Sequence, residues 1–391
     1  MPAQAASYVG PERCKQCHEP EYGLWNISAH SRAMAVLIAV NESTNAHCLE
    51  CHTTGFRSDG TYAFLNVTCE ACHGAGSDHV NATPEKLRTK VIKSINSSAC
   101  AVCHQGEHHP YYEEWKNSSH SKSMELLKSK NESSNVHCQQ CHTARGLIET
   151  SLGRQLSAAI SDPDPVSCQG CHDTHKLGTR LPAKTLCTYC HNSENVGPGH
   201  LPLHAQSDMW NTSRHGLAGV ACVDCHKYSS HNYTGKGPIK TGHTFMPPTR
   251  NPEKCVECHS GAVAPNLTAE EAVQQIGTWQ TSTKNFMAEA ERELERANQT
   301  VQSARPKLDS VKLGKVLDKY NQAKFYLDFV KADKSYGVHN NPKSLDMLSR
   351  SKALSLEVID IVERETAGTG GELVVAVAAV AVIAFALRRR A

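Results

Sequence analysis

The sequence predicts a mainly α fold, with a loop-rich domain of short helices over residues 8–260, long helices over 265–365 and a C-terminal membrane tail. Three observations predict it. All 18 cysteines of the 391 residues fall in Cys-x-x-Cys pairs followed directly by histidine. The pairs lie in segments dense in Gly, Pro, Ser and Asn, which favour turns and short helices over regular sheet. After Pro265 the cysteines stop, and capped stretches with helical apolar spacing begin.

The pairs are Cys14/Cys17, Cys48/Cys51, Cys69/Cys72, Cys100/Cys103, Cys138/Cys141, Cys168/Cys171, Cys187/Cys190, Cys222/Cys225 and Cys255/Cys258. Their histidines are His18, His52, His73, His104, His142, His172, His191, His226 and His259. Two thiols separated by two residues can add to the two vinyl groups of one porphyrin, and the next residue then lies beneath the iron as its proximal ligand. Zinc ribbons, dithiol redox sites and disulfide frameworks also use Cys-x-x-Cys, but none requires the histidine. With 23 histidines in the chain, nine such neighbours by chance have a probability on the order of 10⁻¹¹. Zinc sites built from two pairs would also leave one pair over. The motifs therefore imply nine haem c groups attached through all 18 thiols.

Composition agrees. Only 39% of the chain is apolar, against roughly 45–50% for ordinary globular domains. From Cys14 to His259 there are about 27 residues per motif, too few to enclose each macrocycle separately. The short helices are thus expected to pack on stacked haems, which supply the missing core. The net charge of +2, from 41 basic and 39 acidic residues, excludes a nucleic-acid binder on charge grounds.

Residues 8–56 and 111–146 form an internal repeat. Trp25-Asn-Ile-Ser-Ala-His30 leads to Asn41-Glu-Ser and then to His47 and the Cys48 motif; Trp115-Lys-Asn-Ser-Ser-His120 leads to Asn131-Glu-Ser and then to His137 and the Cys138 motif. Trp210-Asn-Thr-Ser-Arg-His215, leading to Cys222, is a partial third copy. Histidine in an iron's second axial place makes the haem six-coordinate and suited to electron transfer. The distal candidates are His30, His120 and His215 in the Trp-x-x-Ser-x-His segments, His47 and His137 directly before a motif, and His79, His175, His231 and His243. His108, His109, His200 and His204 are further candidates, and His339 is read as structural.

Beyond the motifs, Thr268-Ala-Glu-Glu271 is a capping box that opens a helix running to about Ser303. Pro306 restarts a second helix to about Asp333, and a third follows Asn340-Asn341-Pro342 to about Arg364, with Leu345, Leu348, Leu354, Ile359 and Val362 at helical spacing. A hairpin or bundle is expected, packed against the haem domain or against a second copy in a homo-oligomer. Residues 366–372 read as a small-residue linker. Leu373–Leu387 is an apolar run closed by Arg388-Arg389-Arg390, and residues 373–391 read as a transmembrane or sorting tail. Fifteen residues at 1.5 Å reach about 22 Å, short of a hydrocarbon core of about 30 Å, so spanning requires snorkelling arginines or a thin bilayer.

Haem c is attached outside the cytoplasmic membrane, so a periplasmic or cell-surface location is expected, with the arginines on the cytoplasmic side. Residues 1–7 read as the remnant of an export signal, Ala3-Gln4-Ala5 resembling the end of an Ala-x-Ala cleavage site. Asn-x-Ser/Thr sequons from Asn26 to Asn298, Asn232 among them, are consistent with a glycoprotein. The tail also resembles archaeal surface-protein sorting tails, which leaves retention and cleavage both open.

Tyr8-Val-Gly-x-x-x-Cys14, then Tyr22-x-x-Trp25-x-x-Ser28-x-His30, and Cys72-His73-Gly-Ala-Gly-Ser-Asp-His79 resemble the cytochrome c-554 family over about the first 145 residues. His215-Gly-x-x-Gly-Val-x-Cys222, Thr241-Gly-His243-Thr-Phe and Asp333-x-Ser-Tyr-Gly-Val-His339-Asn-x-Pro342 are similar to hydroxylamine oxidoreductase and pentahaem nitrite reductase over residues 165–365. The resemblance implies long C-terminal helices that mediate oligomers, and chemistry on small nitrogen compounds. Counted back from the C-terminus, it places a catalytic haem at the Cys138/Cys141/His142 motif. The chain departs from these families in having no Cys-x-x-Cys-Lys site, and no one of Tyr320, Tyr326 and Tyr336 matches a haem-cross-linking tyrosine. Three readings stand: a relay between a membrane redox partner and an external acceptor or partner cytochrome, an oxidoreductase with one open iron, and a subunit of a cytochrome filament.

Overall fold

The structure, a computed structural model, describes residues 6–83, 85, 96–176, 178–193, 204–227, 229, 239–250, 252–262 and 264–367. His200, His231, Asn232 and the tail at 373–391 lie outside the described residues. No helix among the described residues is long and apolar enough to cross a membrane. The chain divides into two compact units, residues 1–195 with 210–277, and residues 196–209 with 278–391.

The first unit is built of short helices, from four residues (Cys168–Cys171) to eight (Glu19–Asn26). At 100° per residue, the second cysteine of a motif lies about 60° from the first and the histidine about 40° from it, so one turn presents both thiols and the imidazole on one face. The turn is closed by a backbone bond from the histidine N–H to the first cysteine's carbonyl, at 3.0 Å for His18, 2.9 Å for His104, 2.9 Å for His172, 3.1 Å for His191 and 2.9 Å for His259. The strands among the described residues are β1 (Thr53–Thr54) and β2 (Phe64–Leu65), an antiparallel pair with Thr53 opposite Leu65, and isolated antiparallel bridges join Thr143 to Pro165 and His172 to Thr179.

Where a motif needs holding, buried polar groups do it. Glu70, between Cys69 and Cys72, is 4% exposed, and its carboxylate accepts from the N–H groups of Val9, Gly10 and Gly76 at 2.9, 2.8 and 2.8 Å. That ties the N-terminal segment to the third motif. Gly10 takes φ +85°, and a Cβ there would stand 2.8 Å from the Phe64 ring, which accounts for glycine in Tyr8-Val-Gly. Met34, Leu37 and Leu49 form a small apolar cluster with Cys48 and Phe56 packed on it.

The second unit is a three-helix bundle of α1 (Ala269–Ala304, from Thr278 onward), α2 (Ser310–Asp333) and α3 (Asn341–Thr366). The capping box is present, with the Glu271 carboxylate accepting from Thr268 N–H and Thr268 Oγ1 accepting from Glu271 N–H. Pro306 lies in a 3-10 turn, Arg305–Lys307, and α2 starts at Ser310 instead, because the Asp309 carboxylate accepts from the N–H groups of Val311 and Lys312. Asn340 caps α3 and Pro342 occupies its first turn. Ala297, Val301 and Ala304 pack with Val316, Val358, Ile359 and Val362; nearer the other end Ala290 and Leu294 meet Leu327, Val330, Met347 and Leu348. Ser344, Ser351 and Ser355 are fully buried along α3, small side chains that let the backbones approach. Tyr320 and Tyr326 pack against this core, and Tyr336 lies under the Lys284 ammonium, 4.6 Å from its ring centre.

Candidate haem-binding sites

Three Trp-x-x-Ser-x-His segments place their side chains alike. Trp25 Nε1 donates to Val67 O at 2.9 Å, Trp115 Nε1 to Val166 O at 2.8 Å and Trp210 Nε1 to Val220 O at 3.1 Å. Each valine stands two residues before a motif, at Cys69, Cys168 and Cys222. The serines are buried, Ser28 at 3%, Ser118 at 1% and Ser213 at 7% exposure. In the first two copies Asn45 and Asn135 cap the motif helix, each accepting at 3.0 Å from the N–H of His47 or His137. Asn41 and Asn131 occupy matching left-handed positions at φ 60° and 57°.

The histidines that end these segments meet motif histidines far along the chain. Ring centres are 6.0 Å apart for His30 and His104, 6.2 Å for His120 and His191, and 6.0 Å for His215 and His259. The same spacing recurs for His18 and His79 (6.2 Å), His52 and His109 (6.5 Å), His73 and His175 (6.1 Å), and His172 and His243 (6.2 Å). A ring nitrogen about 2 Å from a metal puts the imidazole centre about 3.2 Å from it, so two imidazoles on opposite sides of one iron have centres about 6.3 Å apart. The pairs thus fit haem, each joining one motif histidine to one histidine outside the motifs.

Burial keeps these ligands in the form that binds iron. It pushes the imidazole pKa down at His30 and His172, and down to about 4 at His104, His120 and His243, where burial is the first cause and neighbouring imidazoles or Lys227 add to it. They are neutral at neutral pH, with a nitrogen lone pair available.

The sequence candidates divide accordingly. His30, His79, His120, His175, His215 and His243 each face a motif histidine. His47 and His137 are exposed and have no ring contact among the described residues. The reason is angular: each sits in the first turn of its helix, about 100° around from the adjacent cysteine and off the face that carries the proximal histidine. The ring centre of His109 stands 6.2 Å from that of His104 and 6.5 Å from that of His52; since His30 already faces His104, His109 is assigned to His52, and the signal for it was only its place five residues past His104. His108 is exposed and His204 half-buried, and His339 is bound through Nδ1 to the buried Asp333 carboxylate at 2.5 Å in the turn before α3.

The motif thiols differ in exposure. Cys17, Cys72 and Cys258 are exposed, whereas every other motif cysteine is half-buried. All three are the second cysteine of their motif.

Thiols of different motifs also touch. Cys14 lies beside Cys69, Cys100 beside Cys168, Cys187 beside Cys222, Cys51 beside Cys103 and Cys141 beside Cys190. Three of these contacts join first cysteines and two join second cysteines. The third Trp copy differs from the others in having one motif fewer between its tryptophan and the motif its histidine faces.

Residues 201–377 match the cytochrome c552 family, and residues 13–74 and 99–173 match the family of cytochrome c554 and c-prime. The cytochrome c nitrite reductase subunit NrfA of Nitratidesulfovibrio vulgaris is 28% identical over 177 residues, 44% of this chain and 33% of that protein. Cytochrome c-554 of Nitrosomonas europaea is 28% identical over 96 residues, 19% of this chain and 41% of that protein. The chain thus matches less than half the length of either curated relative. Among solved structures, the outer cell wall cytochrome OcwA has a TM-score of 0.68 at 19% identity, covering 89% of this chain and 99% of its own. The undecahaem cytochrome from the S-layer of Carboxydothermus ferrireducens has a TM-score of 0.58 at 16% identity, covering 90% of this chain and 70% of its own. The resemblances read from Tyr8–His79 and from His215–Pro342 are borne out, and with motifs, axial pairs, families and fold in agreement, the chain is a multihaem c-type cytochrome.

Proposed function

We propose that the protein binds nine haems and relays electrons through them, outside the cytoplasmic membrane, between a membrane redox partner and an external acceptor or partner cytochrome. The observation that carries this reading is the recurrence of histidine pairs at 6.0–6.5 Å. Two axial imidazoles leave an iron no place for substrate, and fixed ligands reduce the rearrangement that accompanies a change of charge. Bound there, each haem supplies a one-electron iron couple. The chain's own part is to hold the imidazoles neutral and opposed, and to bring motifs together through contacts such as Cys100 with Cys168 and Cys141 with Cys190. Location outside the membrane is supported by the chemistry of haem c attachment and by the cell-wall and S-layer sources named for the similar folds. The apolar run Leu373–Leu387 with its three terminal arginines supports an anchor.

The match to a nitrite reductase favours a second reading, an oxidoreductase with one open iron, for which the Cys138/Cys141/His142 motif remains the candidate. Electron paramagnetic resonance of the oxidised, haem-loaded protein separates the two. Low-spin signals throughout, unchanged by nitrite or hydroxylamine, are expected of the relay; a high-spin signal that either compound shifts would overturn it in favour of the enzyme.

A further inference from the structure

The second Trp segment carries a residue that the other two lack. Glu114 precedes Trp115, where the other copies have Leu24 and Met209. Its carboxylate accepts three hydrogen bonds from one short loop: Oε1 from Thr241 N–H at 2.8 Å, and Oε2 from the Thr241 hydroxyl at 2.7 Å and from His243 N–H at 2.8 Å. Thr241 is 2% exposed, and its Oγ1 lies 2.9 Å from His243 Nδ1.

Hydrogen counting fixes the direction. A carboxylate only accepts, so the single hydroxyl hydrogen of Thr241 goes to Glu114, and the hydroxyl oxygen is left to accept from Nδ1–H of His243. Nε2 is then the bare nitrogen, the one available to iron. Three other axial imidazoles meet a neutral backbone carbonyl through Nδ1, Ala33 O for His52 at 2.8 Å, Gly178 O for His172 at 3.2 Å and Pro265 O for His259 at 3.2 Å, while His18 and His175 have the Glu21 and Asp173 carboxylates at 4.0 and 3.9 Å, beyond hydrogen-bond reach. His243 alone among these is linked through a hydroxyl to a negative charge.

We propose that Glu114 is a positioning residue which, through Thr241, lowers the reduction potential of the haem held between His172 and His243. A hydroxyl that donates to a carboxylate is a stronger acceptor than one that donates to water, because successive hydrogen bonds polarise one another. It draws the Nδ1 proton and leaves more electron density on the ring, and a more basic axial ligand favours ferric over ferrous iron. The nearby negative charge acts in the same sense. A repeat that otherwise makes equivalent sites thereby makes one of them unequal.

The proposal rests on bis-histidine haem ligation, and that premise is checked first: the wild-type protein must show the low-spin signal of this haem before any variant is compared. Spectropotentiometric titration is then run on haem-loaded Glu114→Gln, Thr241→Val and Thr241→Ser proteins. Glu114→Gln and Thr241→Val are expected to keep every low-spin haem and to raise one midpoint potential, by a change of tenfold or more in the reduced-to-oxidised ratio at fixed potential, which is about 59 mV for one electron. Thr241→Ser retains the hydroxyl and is expected to titrate as wild type. Unchanged midpoints in both Glu114→Gln and Thr241→Val, or a shift in Thr241→Ser as large as in Thr241→Val, would overturn it. Should Glu114→Gln fail to assemble, the two Thr241 variants decide the matter alone.

Discussion

Replacing His120 by alanine tests the pairing at its least intuitive point. The motifs that flank it in sequence are those of Cys100 and Cys138, yet His120 faces His191, 71 residues away, at 6.2 Å. The substitution removes one axial ligand from one iron and touches no thiol, so all haems stay attached. With nine motifs in the chain, about one ninth of the low-spin intensity is expected to convert to high spin, and the protein gains one site per chain for cyanide or added imidazole. The ring of Phe245, 5.0 Å from that of His120, walls the cavity left behind and favours a flat ligand such as imidazole. A double-mutant cycle locates the change. His120→Ala and His191→Ala act on one iron and should be strongly non-additive in spin state, whereas His120→Ala and His142→Ala should add. Additivity in the first pair, or a fully low-spin His120→Ala protein, would refute the assignment and with it the spacing argument.

Trp115→Phe keeps most of the ring and deletes the donor to Val166 O, so it should lower stability by about 1–3 kcal/mol, read as a lower denaturation midpoint with an unchanged haem count. Leu348, 1% exposed in the bundle, should cost about 2–5 kcal/mol when cut to alanine, measured by calorimetry on the full chain.

Much of this arrangement could be read from local sequence because its causes are local. A Cys-x-x-Cys-His turn orders itself, as do the caps at Thr268 and Asn340, and the Trp-x-x-Ser-x-His segments announced their histidines by repetition. What could not be read was partnership. An axial pair is decided by where two distant turns meet, and adjacency in sequence is no guide to it: His47 touches a motif in the chain and no ring in space, while His109, without a repeated context, faces His52. The cover over a thiol is set in the same way, so nothing in the motif itself tells exposed Cys17 or Cys258 from half-buried Cys51. Glu114 was invisible for a related reason. A lone acidic residue carries no periodicity, and its role appears only when the loop bearing Thr241 is brought against it.

The three Trp segments each send their histidine onward to a motif that comes later, His30 to His104, His120 to His191 and His215 to His259. Each segment therefore completes an iron site that it does not itself begin. Such a chain can be lengthened by copying one segment without redesigning its neighbours, because the newcomer lends a ligand ahead and borrows one from behind. The variation tolerated within the scheme is already visible in the third copy, which has dropped a motif and kept the tryptophan bond and the onward pairing. Conducting length in this architecture is thus a quantity that gene duplication can set in steps.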